Sequence, residues 1–205
     1  MRPEYAKPVT GEKGTYTYHI GECHRIWREM FQSREEALAC LCASIDMPLE
    51  EFRKKSGKAI VFHDAGKLLW TFQQQMQRII EKQPPDRALH FRHELASALL
   101  LFAMDWETLK NDAMLIPYEI LAVLGHHKSL QPDWHAFERD RSRRESPGLD
   151  EAAVQRIMQV ASHHGFLCKI DQILVAKIFA FPQWPSTLFY ILNERFQALV
   201  QIPSA

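Results

Sequence analysis

Ten histidines stand in 205 residues, about twice the usual share, and several sit beside an acidic residue or a glycine at the end of an apolar run. In IVFHDAGK, residues 60–67, such a run ends in His63 and Asp64. A neutral imidazole and a carboxylate side by side can ligate one divalent cation, and the second carboxylate oxygen can reach another. Lys67, one turn on, is placed to hold a phosphate oxygen or a cation-bound water. An isolated His-Asp pair more often caps a helix, so the ligand reading depends on further histidines converging on this one. His93 opens the amphipathic run in LHFRHELASALL, with His90 just outside it, and YEILAVLGHHK delivers His126 and His127 together. Neighbours on a helix point about 100° apart. Both can meet one centre only where the helix ends or bends, and Gly125 makes such a bend easy.

Mostly helical elements must position these side chains. Residues 1–15 carry two prolines and two glycines and read as an extended N-terminal segment. Over 33–46, Ser33 is placed as an N-cap before an apolar face of Ala37, Leu38, Leu41 and Ile45. Over 48–63, Pro48 opens a helix whose buried side is Leu49, Phe52, Ala59, Ile60 and Phe62, with Gly57 a local weak point. Over 67–82, Leu68, Leu69, Phe72, Met76, Ile79 and Ile80 form one stripe, which Pro84-Pro85 stops. Further helices are expected at 93–105, 117–126, 150–164, 169–180 and 186–200, and a long surface loop with a short helix at 128–148. Strand-like alternation is almost absent, so the expected fold is a single all-α domain packed irregularly rather than as a four-helix bundle.

Composition narrows the function. With 46% apolar and 24% charged residues the chain has material for one sizeable core. Twenty-five basic and twenty-five acidic residues cancel, so any polyanion site must be a local patch. Cys23, Cys40, Cys42 and Cys168 form no CxxC pair and read as reduced small hydrophobes of a cytoplasmic protein. An apolar signal core and an 18-residue apolar window are both absent, which predicts no membrane association. Trp27, Trp70, Phe102 and Trp106 are expected in the core, and His163-His164 before Gly165 reads as a structural helix end. The segment FAFPQWPS, residues 179–186, reads as a buried corner, and Arg139, Arg141, Arg143 and Arg144, interleaved with acids, as a solvated loop that could guide a strand. Neither GxSxG nor a P-loop is present.

Taken together, His19, His63-Asp64, His93 and His126-His127 resemble the HD phosphohydrolase superfamily. HDAGK followed by Phe72 and Gln75, then HELAS, then GHH, is similar to the HD nuclease domain of the CRISPR-associated helicase-nuclease of type I interference. The resemblance spans Tyr16 to about Val200, within a domain set at 16–205. It implies a two-metal site in which His19, rather than its competitor His24, is the first ligand. His63 and Asp64 would be the signature ligands with Asp64 bridging, and His93, His126 and His127 would complete the second position. The family closes the first position with a late Asp in an Ala-Asp-Trp context. FQALVQIPSA ends without one, which leaves Asp171 of KIDQIL or a residue beyond Ala205 for that role.

The implied activity is a metal-dependent endonuclease and exonuclease acting on single-stranded DNA, with His63, Asp64 and Lys67 in catalysis. One or two ions of manganese, iron, nickel or cobalt suit a histidine-rich site better than magnesium. The implied partners are single-stranded DNA, a superfamily 2 helicase, fused or separate, and an RNA-guided surveillance complex. The alternatives are an HD-type phosphohydrolase of nucleotides or cyclic nucleotides, and an inactive docking module for a helicase.

Overall fold

From Glu94 through Ala103 every side chain of the helix that begins at His93 is buried, which marks it as the element around which others pack. The computed structural model describes residues 4–84, 86, 92–112, 115, 117–127 and 151–166. Among them are seven α-helices: α1 Tyr16–Ser33, α2 Glu35–Ser44, α3 Leu49–Phe62, α4 Trp70–Ile80, α5 His93–Asn111, α6 Tyr118–Gly125 and α7 Glu151–His163. Short 3-10 turns cover Glu12–Gly14 and Ala65–Leu68, and the only extended pairing among the described residues is Tyr5 with Thr15. The architecture is all-α, as the sequence predicts. The expected loop at 128–148, the helices at 169–180 and 186–200, the segment 179–186, His90, Cys168 and Asp171 lie outside the described residues.

The central helix α5 packs on α6 and on the Ala65–Leu68 turn, while α1 and α6 both pack on α3. Ile20, Phe62, Leu100, Leu101, Phe102, Ile120 and Leu124 are fully buried where these helices meet. A polar clasp crosses the same core. Lys58 of α3 donates to both carboxylate oxygens of Asp105 on α5 at 2.7 Å, and its ammonium lies 3.8 Å from Glu119 of α6.

Several local expectations are corrected. The reading from Ser33 onward misses α1, whose N-cap is Thr15: its hydroxyl accepts from the Tyr18 amide at 3.3 Å. Ser33 ends α1 instead of capping α2, and its hydroxyl donates to the Met30 carbonyl. The apolar series on α2 faces outward, with Leu41 48% and Ile45 45% exposed, while Cys42 is buried. Periodicity finds a face but not whether another element covers it. The expected helix 67–82 is broken at Leu69, which is extended, so α4 starts at Trp70. That break leaves Trp70 51% and Ile79 38% exposed, against the expected core placement, whereas Phe102 is fully buried. Gly57 does not interrupt α3; it is the buried point against which Trp27 and Phe166 close, within 2.9–3.2 Å of where a Cβ would stand. The N-terminal segment is fastened down, because Tyr5 and Gln73 exchange hydrogen bonds at 2.9 and 2.8 Å and Glu4 pairs with Arg156 at 2.9 Å.

The HDAGK and HELAS segments interlock. A Cβ on Gly66 would stand 2.2 Å from the His93 carbonyl oxygen and 2.8 Å from the Ala96 Cβ, so only glycine lets the turn approach α5 this closely. The Gly66 amide donates to Ser97 Oγ at 2.8 Å, and Ser97 Oγ donates to the His93 carbonyl at 2.9 Å. Since His93 is backbone rather than a flexible side chain at this contact, Gly66→Ala should lower stability by about 1–3 kcal/mol. Denaturant titration checks this, and an unchanged midpoint would refute the interlock.

Candidate metal centre

Four separate segments bring histidine to one carboxylate. Asp64 follows α3 and is 1% exposed. His19 comes from the first turn of α1, His63 from the end of α3, His93 from the start of α5, and His126 and His127 from just after α6. Asp64 Oδ2 lies 2.7 Å from His19 Nε2 and 3.2 Å from His63 Nε2. Asp64 Oδ1 lies 3.0 Å from His93 Nε2 and 3.6 Å from His126 Nε2. His127 Nε2 meets His93 Nε2 at 3.0 Å. One carboxylate therefore turns a different oxygen to each of two imidazole groups.

Backbone carbonyls aim two of these rings. His63 Nδ1 donates to the Ile60 carbonyl at 2.7 Å, and His126 Nδ1 to the Val123 carbonyl at 2.6 Å. Each bond spans three residues at a helix end, where carbonyls lack intrahelical partners. In the neutral ring, a proton held on Nδ1 leaves Nε2 as the lone pair facing the centre. Phe72 stands edge-on to His93 with ring centroids 5.5 Å apart and walls that side. Thus Phe72 lines the site, while Gln75 accepts from the Asp86 amide.

Burial works against ionising Asp64, but the imidazoles of His126, His19, His63 and His93 override it and hold its carboxyl far below the usual range. Burial likewise opposes charging His63, and its contacts with Asp64 and Cys23 raise it to about 10. His19 is raised chiefly by Asp64. Burial, then the neighbouring His126 and His93, lowers His127, which favours the neutral, ligating imidazole. Lys67 places its ammonium 2.7 Å from Asp64 Oδ2, beside the carboxylate.

The donor set fits divalent cations. Asp64 Oδ1 and His126 Nε2 are both buried and have no hydrogen-bond partner, although they face each other. Oδ1 has an ion-pair contact with His93 at 3.0 Å but no aligned hydrogen bond, and a cation between the two buried atoms would satisfy both. Asp64, His93, His126 and His127 offer ligand atoms within 4.8 Å of one another, and so do His19, Cys23 and His63. All six sequence-predicted ligands are therefore gathered in one place. His24 is elsewhere, with its ring 4.4 Å from His164 and 5.2 Å from Trp27. His164 is lowered to about 4 by burial and by His24 and His163, so it is neutral near pH 7 and gains nothing there from the helix dipole. Sequence reasoning missed Cys23, whose Sγ lies 3.8 Å from both His19 ring nitrogens. Its thiol is lowered to about 6 by His19 and then His63. Its position four residues after His19 was the available signal.

The family model described as Cas3, HD domain, matches residues 17–200. This chain belongs to the Cas3 HD domain family. The CRISPR-associated Cas3 HD domain protein MJ0384 from Methanocaldococcus jannaschii has a similar fold, with a TM-score of 0.53 at 14% identity over 93% of this chain and 98% of that one. No curated protein matches the sequence. Family membership supports a CRISPR-associated HD nuclease or phosphohydrolase. Among the described residues of this Cas3 HD domain, no helix is long and apolar enough to cross a membrane.

Ligation requires imidazole lone pairs, so binding must displace protons from this cluster. With His63 raised to about 10, cation binding at pH 7 should release protons and should weaken as pH falls. Calorimetry in two buffers of different ionisation enthalpy measures the release; identical heats in both would count against ligation here. A free cation at 100 times its Kd should stabilise the fold by about 2.7 kcal/mol, and His126→Ala should reduce that gain in a thermal melt.

Proposed function

We propose that residues 16–205 form a metal-dependent nuclease domain that hydrolyses phosphodiester bonds of single-stranded DNA in type I CRISPR interference. The observation that carries this reading is the buried Asp64, whose two oxygens serve two separate histidine groups. In this assignment His19, His63 and Asp64 hold one cation, and Asp64, His93, His126 and His127 hold the other. When bound, such a pair supplies an activated water and neutralises charge developing on phosphorus and on the leaving oxygen, with no nucleophilic side chain needed.

The protein's own groups supply placement. The Ile60 and Val123 carbonyls fix the His63 and His126 rings before any ligand arrives, so little reorganisation is needed at the moment of reaction. Lys67 takes a phosphate oxygen, its ammonium already held at the rim of the carboxylate. Phe72 keeps water from one side of His93. Imidazole-rich coordination favours manganese, iron, nickel or cobalt over magnesium. A superfamily 2 helicase and an RNA-guided surveillance complex are the proposed partners, since together they would expose the displaced strand. The proposed setting is the cytoplasm.

The test is cleavage of circular and long single-stranded DNA after chelation and metal add-back. Activity should return with manganese or nickel more than with magnesium. His63→Ala and Asp64→Ala should each lower the rate at least about 100-fold, beyond the 10–100-fold cost of losing an outer-shell partner, with the helical circular dichroism spectrum unchanged. Cutting that persists in both variants would overturn the assignment. Hydrolysis of cyclic nucleotides without strand cleavage would favour a nucleotide phosphohydrolase. Protein that neither retains metal nor gains activity from it would favour a docking module.

A further inference from the structure

The two cation positions are chemically unequal. Around Asp64 Oδ1 the available donors are three imidazoles, His93, His126 and His127. Around His19 and His63 the third donor is sulfur, because Cys23 Sγ falls within the same 4.8 Å group. We propose that Cys23 ligates the cation held by His19 and His63, making this position a mixed thiolate–imidazole–carboxylate site selective for soft metals. This deepens, and rests on, the metal-dependent reading above.

Three features carry it. Cys23 lies on α1 four residues beyond His19, so both side chains emerge on one helix face. Its Sγ is 3.8 Å from His19 Nδ1 and from His19 Nε2. A tetrahedral ion with metal–nitrogen bonds of about 2.0–2.1 Å and a metal–sulfur bond of about 2.3 Å sets sulfur and nitrogen about 3.5 Å apart, so only a slight contraction is required. Finally, the buried Asp64 turns Oδ2 toward the same rings, at 2.7 Å from His19 and 3.2 Å from His63. Two imidazoles and a sulfur converge, and the Asp64 oxygen beside both imidazoles would be the fourth donor.

The thiol differs in setting from its neighbours in sequence. Cys42 is buried and Cys40 exposed, while Cys23 is half-buried. On binding, the S–metal bond forms from the thiolate, any proton still on sulfur leaves to solvent, and no electrons are transferred. Thiolate suits zinc, cobalt, nickel and iron far better than magnesium.

Cobalt titration of the full chain tests this. The wild type should show a near-ultraviolet thiolate-to-cobalt charge-transfer band beside the visible ligand-field bands. Cys23→Ser should lose the first, keep the second and bind zinc at least about tenfold more weakly, as loss of a supporting contact alone already costs 10–100-fold. His126→Ala should keep the charge-transfer band. Zinc should also protect Cys23, but not Cys40, from iodoacetamide. Ligand-field bands without charge transfer in the wild type would overturn the thiolate ligand and leave the metal site standing. No cobalt spectrum at all would overturn both.

Discussion

A carboxylate that is 1% exposed cannot be tolerated ionised in a helical core unless its charge is answered there. Asp64 is answered by imidazoles from the starts or ends of four helices and by the Lys67 ammonium. Each of these groups is anchored by its own helix, so the arrangement of α1, α3, α5 and α6 and the composition of the site are one constraint. Moving any helix by an ångström would leave Asp64 with a partner missing.

The surrounding packing meets that constraint with close backbone contacts and one long-side-chain clasp. Gly66 and Ser97 set the distance between the Asp64 turn and α5, and the Lys58–Asp105–Glu119 clasp ties α3, α5 and α6. Carbonyls of the last helical turns hold His63 and His126 by Nδ1. These bonds cost little conformational entropy because the atoms that make them are already fixed in helices. A rigid cradle of this kind suits chemistry in which the protein positions and a cation acts.

Unsatisfied atoms say as much as satisfied ones. Asp64 Oδ1 and His126 Nε2 face each other without a hydrogen bond. Within the Cas3 HD domain match over residues 17–200, the HD, H and HH segments of this chain have a physical reason to converge: a buried carboxylate needs several imidazoles at once. The sulfur of Cys23 enters the same logic from α1, one helical turn past His19.

The all-α character and most helix positions were legible, since 3.6-residue periodicity is written locally; α3, α6 and α7 follow it closely, while α5 starts as expected at His93 and runs on past 105 to Asn111. The ligand types were legible too, because His63-Asp64, His93 and His126-His127 sit at helix ends where side chains can converge. Local spacing could not say what lies opposite a face. The Leu41 and Ile45 face and Trp70 point outward, and the 3-10 turn after Asp64 replaces the start of the expected helix. The sequence by itself determined which side chains were available for ligation and on what kind of element each would sit. Only the tertiary structure decided that Asp64 divides its oxygens between two histidine groups, that Lys67 pairs with it and that Cys23 joins them, because those relations are distances between segments far apart along the chain and depend on how helices cross.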